Sequence, residues 1–278
     1  EKYAAPKDLV ELEEAMMFAR KNLMRLTVLG GGTNVLISDN GIPGMVVHTI
    51  HLNKTKILQE DDELIIEAQG GAQKSDVLKI FLKYRLQPAV FLAGLPGDMA
   101  GGVVMNAGVG HDVAPKEFCE IVKSFDVLTF NEKATVEERT FQSDEIAWSY
   151  RKSKNWQPGV ITKVRVGWPN NTDEKVLQEV REGNKRRKST QPLSEPSCGS
   201  VFKNPEGDHA GRLIEVSDLK GFTIGGAQVS EKHANFIVNK GEASAMDIHK
   251  VIKSVQKTVE KKHGVKLTNE VVYLGEWS

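Results

Sequence analysis

Three consecutive glycines between two short β-type runs, in Leu29-Gly30-Gly31-Gly32-Thr33-Asn34-Val35-Leu36, constrain this chain more than any other feature. Successive glycines let the backbone turn with positive φ and aim N–H groups into a concavity that suits a pyrophosphate; a plain tight turn is the simpler alternative. The segment is not a Rossmann fingerprint. Val35 stands where the third glycine belongs, and the residues after the glycines read as a strand rather than a helix. A second tract, Gly94-Leu95-Pro96-Gly97-Asp98-Met99-Ala100-Gly101-Gly102, runs on to Met105-Asn106-Ala107-Gly108. Residues without bulk mark either close approach of backbone to something flat or phosphorylated, or close helix-on-strand packing. Two such cradles in one region are more readily explained by one long cofactor than by two unrelated turns.

The 278 residues fit two domains of ordinary size, and an apolar share of 40% with 27% charged residues is globular. Lys+Arg and Asp+Glu balance at 37 each, which argues against a nucleic-acid partner because phosphate neutralisation needs a cationic surplus. The longest apolar tract, Pro88 to Val109, is interrupted by Pro96, Asp98 and glycines, so no membrane span is expected. Cys119 and Cys198 are too few for a disulfide framework and form no CxxC pair, which points to the cytoplasm and away from a thiolate zinc site. The seven histidines show no HExxH-type spacing, so no metal is expected. Glu1 to Ala5 carry no signal-peptide pattern, but the chain starts at Glu1 rather than Met, so a further N-terminal piece is expected.

Asp8 and Glu11 form a capping-box pattern ahead of Leu9, Leu12, Met16 and Ala19 at helical spacing. Strands are expected at Leu26–Leu29, Val35–Ile37, Met45–His48 and Leu64–Ala68, a helix at Ser75–Arg85, a hairpin over Ser124–Thr140 and a strand over Gly159–Val166. This first half reads as α+β. From Thr172 a charged helix ends in Lys185-Arg186-Arg187-Lys188, the cationic end suiting the helix dipole. A boundary near Pro169 therefore gives domains of 1–168 and 169–278. Helices are expected at Ala210–Val216 and Ser244–His263, the latter with a Ser244/Asp247 cap, a Gly264 stop and an apolar stripe of Ile248, Val251, Ile252, Val255 and Val259.

Three further segments carry chemistry-bearing residues. Ser149-Tyr150-Arg151-Lys152-Ser153, expected after a short helix, places an Arg fork suited to a carboxylate beside an aromatic ring; a surface ion pair is the alternative. In Ser197-Cys198-Gly199-Ser200-Val201-Phe202-Lys203-Asn204-Pro205, strand alternation would put Ser200, Phe202 and Asn204 on one face and Lys203 on the other; a capped turn entering the next helix is also possible. Val265 to Gly275 reads as an apolar strand interrupted by Glu270. A lone carboxylate there is suited to acid or electrostatic work if desolvated, or is a solvent-facing residue of an edge strand.

In their order along the chain, LGGGTNVL (29–36), GLPGDMAGGVVMNAG (94–108), SYRKS (149–153), PSCGSVFKNP (196–205), LKGFTIGGAQVSEKHANFIVN (219–239) and LTNEVVYLG (267–275) resemble the UDP-N-acetylenolpyruvoylglucosamine reductases, flavoenzymes of bacterial peptidoglycan precursor synthesis. The resemblance is to the shorter subclass, which lacks a Tyr-bearing insert. It implies an α+β chain: an FAD domain of the vanillyl-alcohol-oxidase-like type, then a smaller substrate domain. Non-covalent FAD would lie against Gly30, Gly31, Gly32, Thr33 and Asn34 and against Gly97, Gly101 and Gly102. Arg151, Ser200 and Glu270 match the catalytic positions, and Tyr150, Lys203, Asn204 and His233 the surroundings of the UDP-sugar. NADPH would be the co-substrate, with no nucleic acid, membrane or obligate protein partner. Two departures stand out: the family's T-x-x-x-GG-type segment ahead of the first helix is not in this sequence, and Val109-Gly110-His111 replaces the usual Ala-Tyr-Gly.

The implied reaction is a hydride relay from NADPH through FAD to the enolpyruvyl CH₂, with Arg151 and Glu270 stabilising charge on the carboxylate and Ser200 protonating the adjacent carbon. An FAD oxidase of the same cofactor fold, acting on an alcohol or amine, needs no carboxylate clamp, and a non-catalytic flavin- or nucleotide-binding module needs no proton donor.

Overall fold

The structure, a computed structural model, describes residues 1–109 and 113–277. It forms two compact units, one of residues 1–31 and 44–184, the other of residues 32–43 and 185–278. The division falls later than Pro169 because the strand Val160–Pro169 continues into the Val176–Thr190 helix, whose Val176 and Val180 are buried in the first unit's core. Residues 32–43 go with the second unit because Val35–Ile37 pairs in parallel with Val272–Leu274. Asp39 also caps the long helix of that unit, its carboxylate accepting from Ala245 N at 2.8 Å and Met246 N at 3.1 Å.

The first unit contains a parallel sheet in the order Lys2–Ala4, Met45–His48, Leu26–Leu29, and an antiparallel sheet in the order Thr55–Glu60, Glu63–Gln69, Val160–Pro169, Val122–Phe130, Val136–Gln142. The Leu9–Lys21 helix starts at Asp8, whose side chain accepts from Glu11 N at 2.9 Å, and buries Leu12, Met16 and Ala19. Half of the expected capping box differs: the Glu11 carboxylate takes the N–H of Lys7, not that of Asp8. The edge strand Thr55–Glu60 was not expected, since its TKILQE is mostly exposed and lacks a clean alternation. The helix at Lys74–Lys83 buries Val77 and Phe81 against one face of the five-stranded sheet, with Leu64, Ile66, Phe125, Val127 and Val164. The sheet also carries a chain of charges in which Arg165 forks onto Asp126 with two bonds of 2.8 Å and reaches Glu67, while Lys163 bridges Asp126 and Glu138.

The second unit packs the Ala245–His263 helix and the short Ala210–Glu215 helix on a four-stranded sheet, Ser197–Ser200, Phe236–Asn239, Ala227–Val229, Thr223–Ile224. The long helix has the expected Ser244/Asp247 box and ends at Gly264 with φ of 70°, the left-handed stop that favours glycine. Beside the sheet, the amide of buried Asn235 fastens the next extended segment: it accepts from Phe202 N at 3.0 Å and donates to Phe202 O at 2.8 Å, while Val201 N donates to Asn235 O. Deleting that amide strands two buried backbone groups. Asn235→Ala is therefore expected to cost about 3 kcal/mol, read as a lowered urea midpoint with an unchanged slope; a loss below about 1 kcal/mol would mean that other contacts hold this segment.

Candidate active site

In the first unit the two glycine tracts come together. Gly30 and Gly31 follow the strand Leu26–Leu29, and Asp98 opens the short helix Met99–Val104. The Asp98 carboxylate, 3% exposed, accepts from Gly101 N at 2.6 Å through one oxygen and from Gly31 N through the other. A Cβ at Gly30 would run into this carboxylate, and one at Gly31 would stand 3.3 Å from Gly97 Cα, so the close approach requires glycine. Gly97 itself has φ of 85° and Gly32 has φ of 67°. Gly102 is different: a Cβ there would strike the Phe118 ring, so its missing side chain makes room for packing rather than for a ligand. The N–H groups of Gly31 and Gly101 thus converge on an anion, which is the chemistry a diphosphate requires.

Lys74, the first residue of its helix, lies beneath this turn and is 4% exposed. Its backbone N–H donates to Gly97 O at 3.0 Å, its ammonium donates to Pro96 O at 2.7 Å, and the ammonium stands 5.5 Å from the centre of the Phe118 ring. Burial pulls the ammonium down to about 8, with the charge of Asp98 opposing the fall. Sequence reading passed over Lys74; the one local signal was a cation in the first turn of a helix, where the dipole disfavours it.

Tyr150 and Arg151 form the tip of a two-residue hairpin between Ala147–Ser149 and Lys152–Lys154, preceded by a short helix, the 3₁₀ turn Ser143–Glu145. Arg151 has φ of 57°, an uncommon conformation for a residue with a side chain. Its guanidinium donates to Gly108 O at 2.9 Å, lies 4.0 Å from Glu117 and covers the Tyr150 ring at 4.8 Å. Behind it, fully buried Asn106 donates to Glu117 at 2.8 Å and to Ser149 O at 3.2 Å, and its carbonyl accepts from Cys119 N. The MNAG motif thereby holds both the hairpin and the carboxylate facing Arg151. Of the Val109-Gly110-His111 departure, Val109 is half-buried with its N–H on Lys116 O, and Gly110 and His111 lie outside the described residues.

In the second unit Ser200 ends the strand Ser197–Ser200 just after Gly199, which has φ of 75°. The register shifts between Ser197 and Ser200, and both Val201 and Phe202 are buried, so the expected alternation fails beyond Ser200. The C-terminal segment is likewise not one long strand: only Val272–Leu274 is regular, with an isolated bridge between Phe202 and Asn269. Half-buried Glu270 is set beside Ser200 through backbone, its N–H donating to Val201 O at 2.8 Å. Asn34, at the end of the glycine loop, donates from its amide to Glu270 O at 3.1 Å, and its own carbonyl accepts from Val272 N.

Lys203 is half-buried, with its N–H on Thr268 O; Asn204 uses its carbonyl to accept from Ala210 N at the start of the helix. His233 packs edge-on to Phe236 at 4.8 Å and accepts from Asn235 N at 3.3 Å; burial lowers its proton affinity, which keeps the ring neutral at pH 7. Burial pushes the Cys198 thiol up to about 11, leaving it protonated and unreactive near neutrality. Among the described residues there is no cluster of three or more His, Cys, Asp or Glu able to hold a metal ion, and no helix is long and apolar enough to cross a membrane.

Residues 1–136 match an FAD binding domain family, and residues 191–274 match the UDP-N-acetylenolpyruvoylglucosamine reductase C-terminal domain family. The chain is 36% identical over 277 residues to a UDP-N-acetylenolpyruvoylglucosamine reductase of Caldanaerobacter subterraneus subsp. tengcongensis, covering 98% of this chain and 87% of that one. It is 38% identical over 272 residues to the enzyme of the same description from Clostridium beijerinckii, at 98% and 86% coverage. The crystal structure of a UDP-N-acetylenolpyruvylglucosamine reductase from Thermus caldophilus matches with a TM-score of 0.76 at 27% identity, over 98% of this chain and 91% of that one. With a glycine-built anion cradle in its first unit and a serine seated beside a glutamate in its second, this chain belongs to the UDP-N-acetylenolpyruvoylglucosamine reductase family.

Proposed function

We propose that the protein is an FAD-dependent oxidoreductase that reduces the enolpyruvyl ether of UDP-N-acetylglucosamine enolpyruvate to UDP-N-acetylmuramate, a step of peptidoglycan precursor synthesis, with NADPH as hydride donor. What supports the chemical assignment within the molecule is the pairing of a hydroxyl with a carboxylate on neighbouring backbone, Ser200 and Glu270 joined through Val201 O. The first unit would serve the cofactor and the second the substrate. Gly30, Gly31, Gly97 and Gly101, with Gly32, Thr33 and Asn34 further along the loop, would hold FAD through close approach of backbone that lacks side chains. When bound, the flavin supplies the hydride that the enolpyruvyl CH₂ receives, having taken one from NADPH.

The remaining chemistry belongs to side chains of this chain. Hydride arrival at CH₂ leaves a pair of electrons on the adjacent carbon, delocalised into the substrate carboxylate. Arg151 meets that carboxylate with a fork of two N–H donors, its orientation set by Gly108 O, Glu117 and the Tyr150 ring. Glu270 would act on the same developing charge as the third of the catalytic positions. Ser200 gives its hydroxyl proton to the carbanionic carbon, forming the new C–H bond of the lactyl group, and recovers a proton from water afterwards. Lys203, Asn204, His233 and Tyr150 complete the surroundings of the nucleotide sugar, with neutral His233 able to accept or donate one hydrogen bond at each nitrogen. A nucleotide-sugar substrate and a nicotinamide donor support a cytoplasmic reading, in which no nucleic-acid, membrane or obligate protein partner is expected.

Three outcomes are expected. Neither glycine cradle contains His or Cys, so denaturing precipitation should release all flavin colour; colour kept in the pellet would indicate a covalent bond. Arg151→Lys keeps the charge but loses the fork, and turnover should fall on the order of 100-fold; a variant within about twofold of the parent would remove Arg151 from the carboxylate site. Ser200→Ala should leave flavin reduction by NADPH nearly intact in anaerobic stopped-flow traces, while reoxidation by the enolpyruvyl substrate falls by orders of magnitude. Equal loss of both half-reactions would make Ser200 a packing residue.

A further inference from the structure

The cradle contains an anion of its own. Both N–H groups that converge there, Gly31 and Gly101, are hydrogen-bonded to the Asp98 carboxylate, which is almost wholly removed from solvent. A diphosphate brought to the same tracts meets a fixed negative charge at short range and in low dielectric, where repulsion is strong. Buried charges of this kind persist only when compensated. The buried cation beside this turn is Lys74: its backbone N–H is on Gly97 O and its ammonium on Pro96 O, the two residues that lead into Asp98, and Gln73 pairs with Asp98 as a β-bridge. Lys74 is enclosed by the turn and the Phe118 ring, so it does not contact bulk solvent and takes no part in the proton and hydride steps assigned above.

We propose that Lys74 is a positioning residue for the cofactor: its buried ammonium neutralises Asp98, so that a carboxylate can tie the two glycine tracts together without repelling the diphosphate those tracts receive. The inference rests on the assignment of FAD to this cradle. It adds a determinant of cofactor affinity made of a charge pair rather than of direct contacts, in which Asp98 supplies shape and Lys74 cancels its charge. The pair is coupled, so removing one member has a different consequence from removing both.

The test is a flavin titration at pH 7 of the deflavinated full chain, monitored by fluorescence quenching, for Lys74→Met, Asp98→Ser and the double variant. Serine retains the helix cap to Gly101 while removing the charge and releasing Gly31 N–H. Lys74→Met should weaken FAD binding by on the order of tenfold or more. Asp98→Ser should bind at least as tightly as the parent, and the double variant should return to within about threefold of the parent. Lys74→Met within about threefold of the parent, or a double variant as weak as Lys74→Met, would overturn the proposal, since a purely structural lysine is not rescued by deleting its counter-charge. Should Lys74→Met fail to fold by circular dichroism, Asp98→Ser decides alone: binding about tenfold weaker than the parent would overturn the proposal, and equal or tighter binding would support it. A parent chain that binds no FAD would instead sink the flavoenzyme assignment, leaving a distinguishable result.

Discussion

The hydrogen bonds that Asp98 accepts from Gly31 and Gly101 are the constraint on which the first unit's site depends. They join two glycine tracts, with Gly31 and Asp98 67 residues apart in sequence, and they fix the backbone that each tract presents. The glycines are not interchangeable in this arrangement. Gly30 and Gly31 permit the approach to Asp98, Gly97 provides a left-handed turn ahead of it, and Gly102 accommodates the Phe118 ring. That ring in turn forms one wall around Lys74. A tract that reads as a single low-complexity cradle is in fact divided between anion binding and core packing.

The second unit solves a different problem, that of bringing the backbone of Glu270 next to the end of the Ser200 strand without a long regular strand. The chain leaves the sheet at Ser200 and is then fastened through main-chain groups, by Asn235 on Phe202 from one side and by Glu270 N–H on Val201 O from the other. Asn34 adds a side-chain bond to Glu270 O, so the end of the glycine loop also supports the carboxylate-bearing segment. Arg151 is held by similar means in the first unit, with Asn106 binding both Glu117 and Ser149 O.

How much of this could be read from sequence depended on the range of the interaction. The start of the Leu9–Lys21 helix and both ends of the Ala245–His263 helix were legible because caps, periodicity and the Gly264 stop act locally. The glycine tracts were legible as special backbone, and the ordered motifs identified the family. The edge strand Thr55–Glu60 was not, because its polar, exposed residues are ordered by a neighbour rather than by burial. Val265–Gly275 was over-read as one strand, since apolar residues there are buried by an irregular segment bonded to Val201 and Lys203. The Tyr150-Arg151 hairpin tip and the assignment of residues 32–43 to the second unit likewise depend on distant partners. Lys74 and Asn106 carried little local signal: a lysine in a first helical turn and an asparagine among small residues acquire meaning only when burial shows what they face.

The central claim, that this chain passes reducing equivalents through a bound flavin to an enolpyruvyl nucleotide sugar, is tested most directly by anaerobic titration of the purified protein monitored by visible absorbance. The account predicts a flavin spectrum that bleaches on addition of NADPH and recovers on stoichiometric addition of UDP-N-acetylglucosamine enolpyruvate, with UDP-N-acetylmuramate formed in equal amount. Bleaching with recovery only on admission of oxygen, and with the nucleotide sugar unchanged, would contradict it and point to an oxidase.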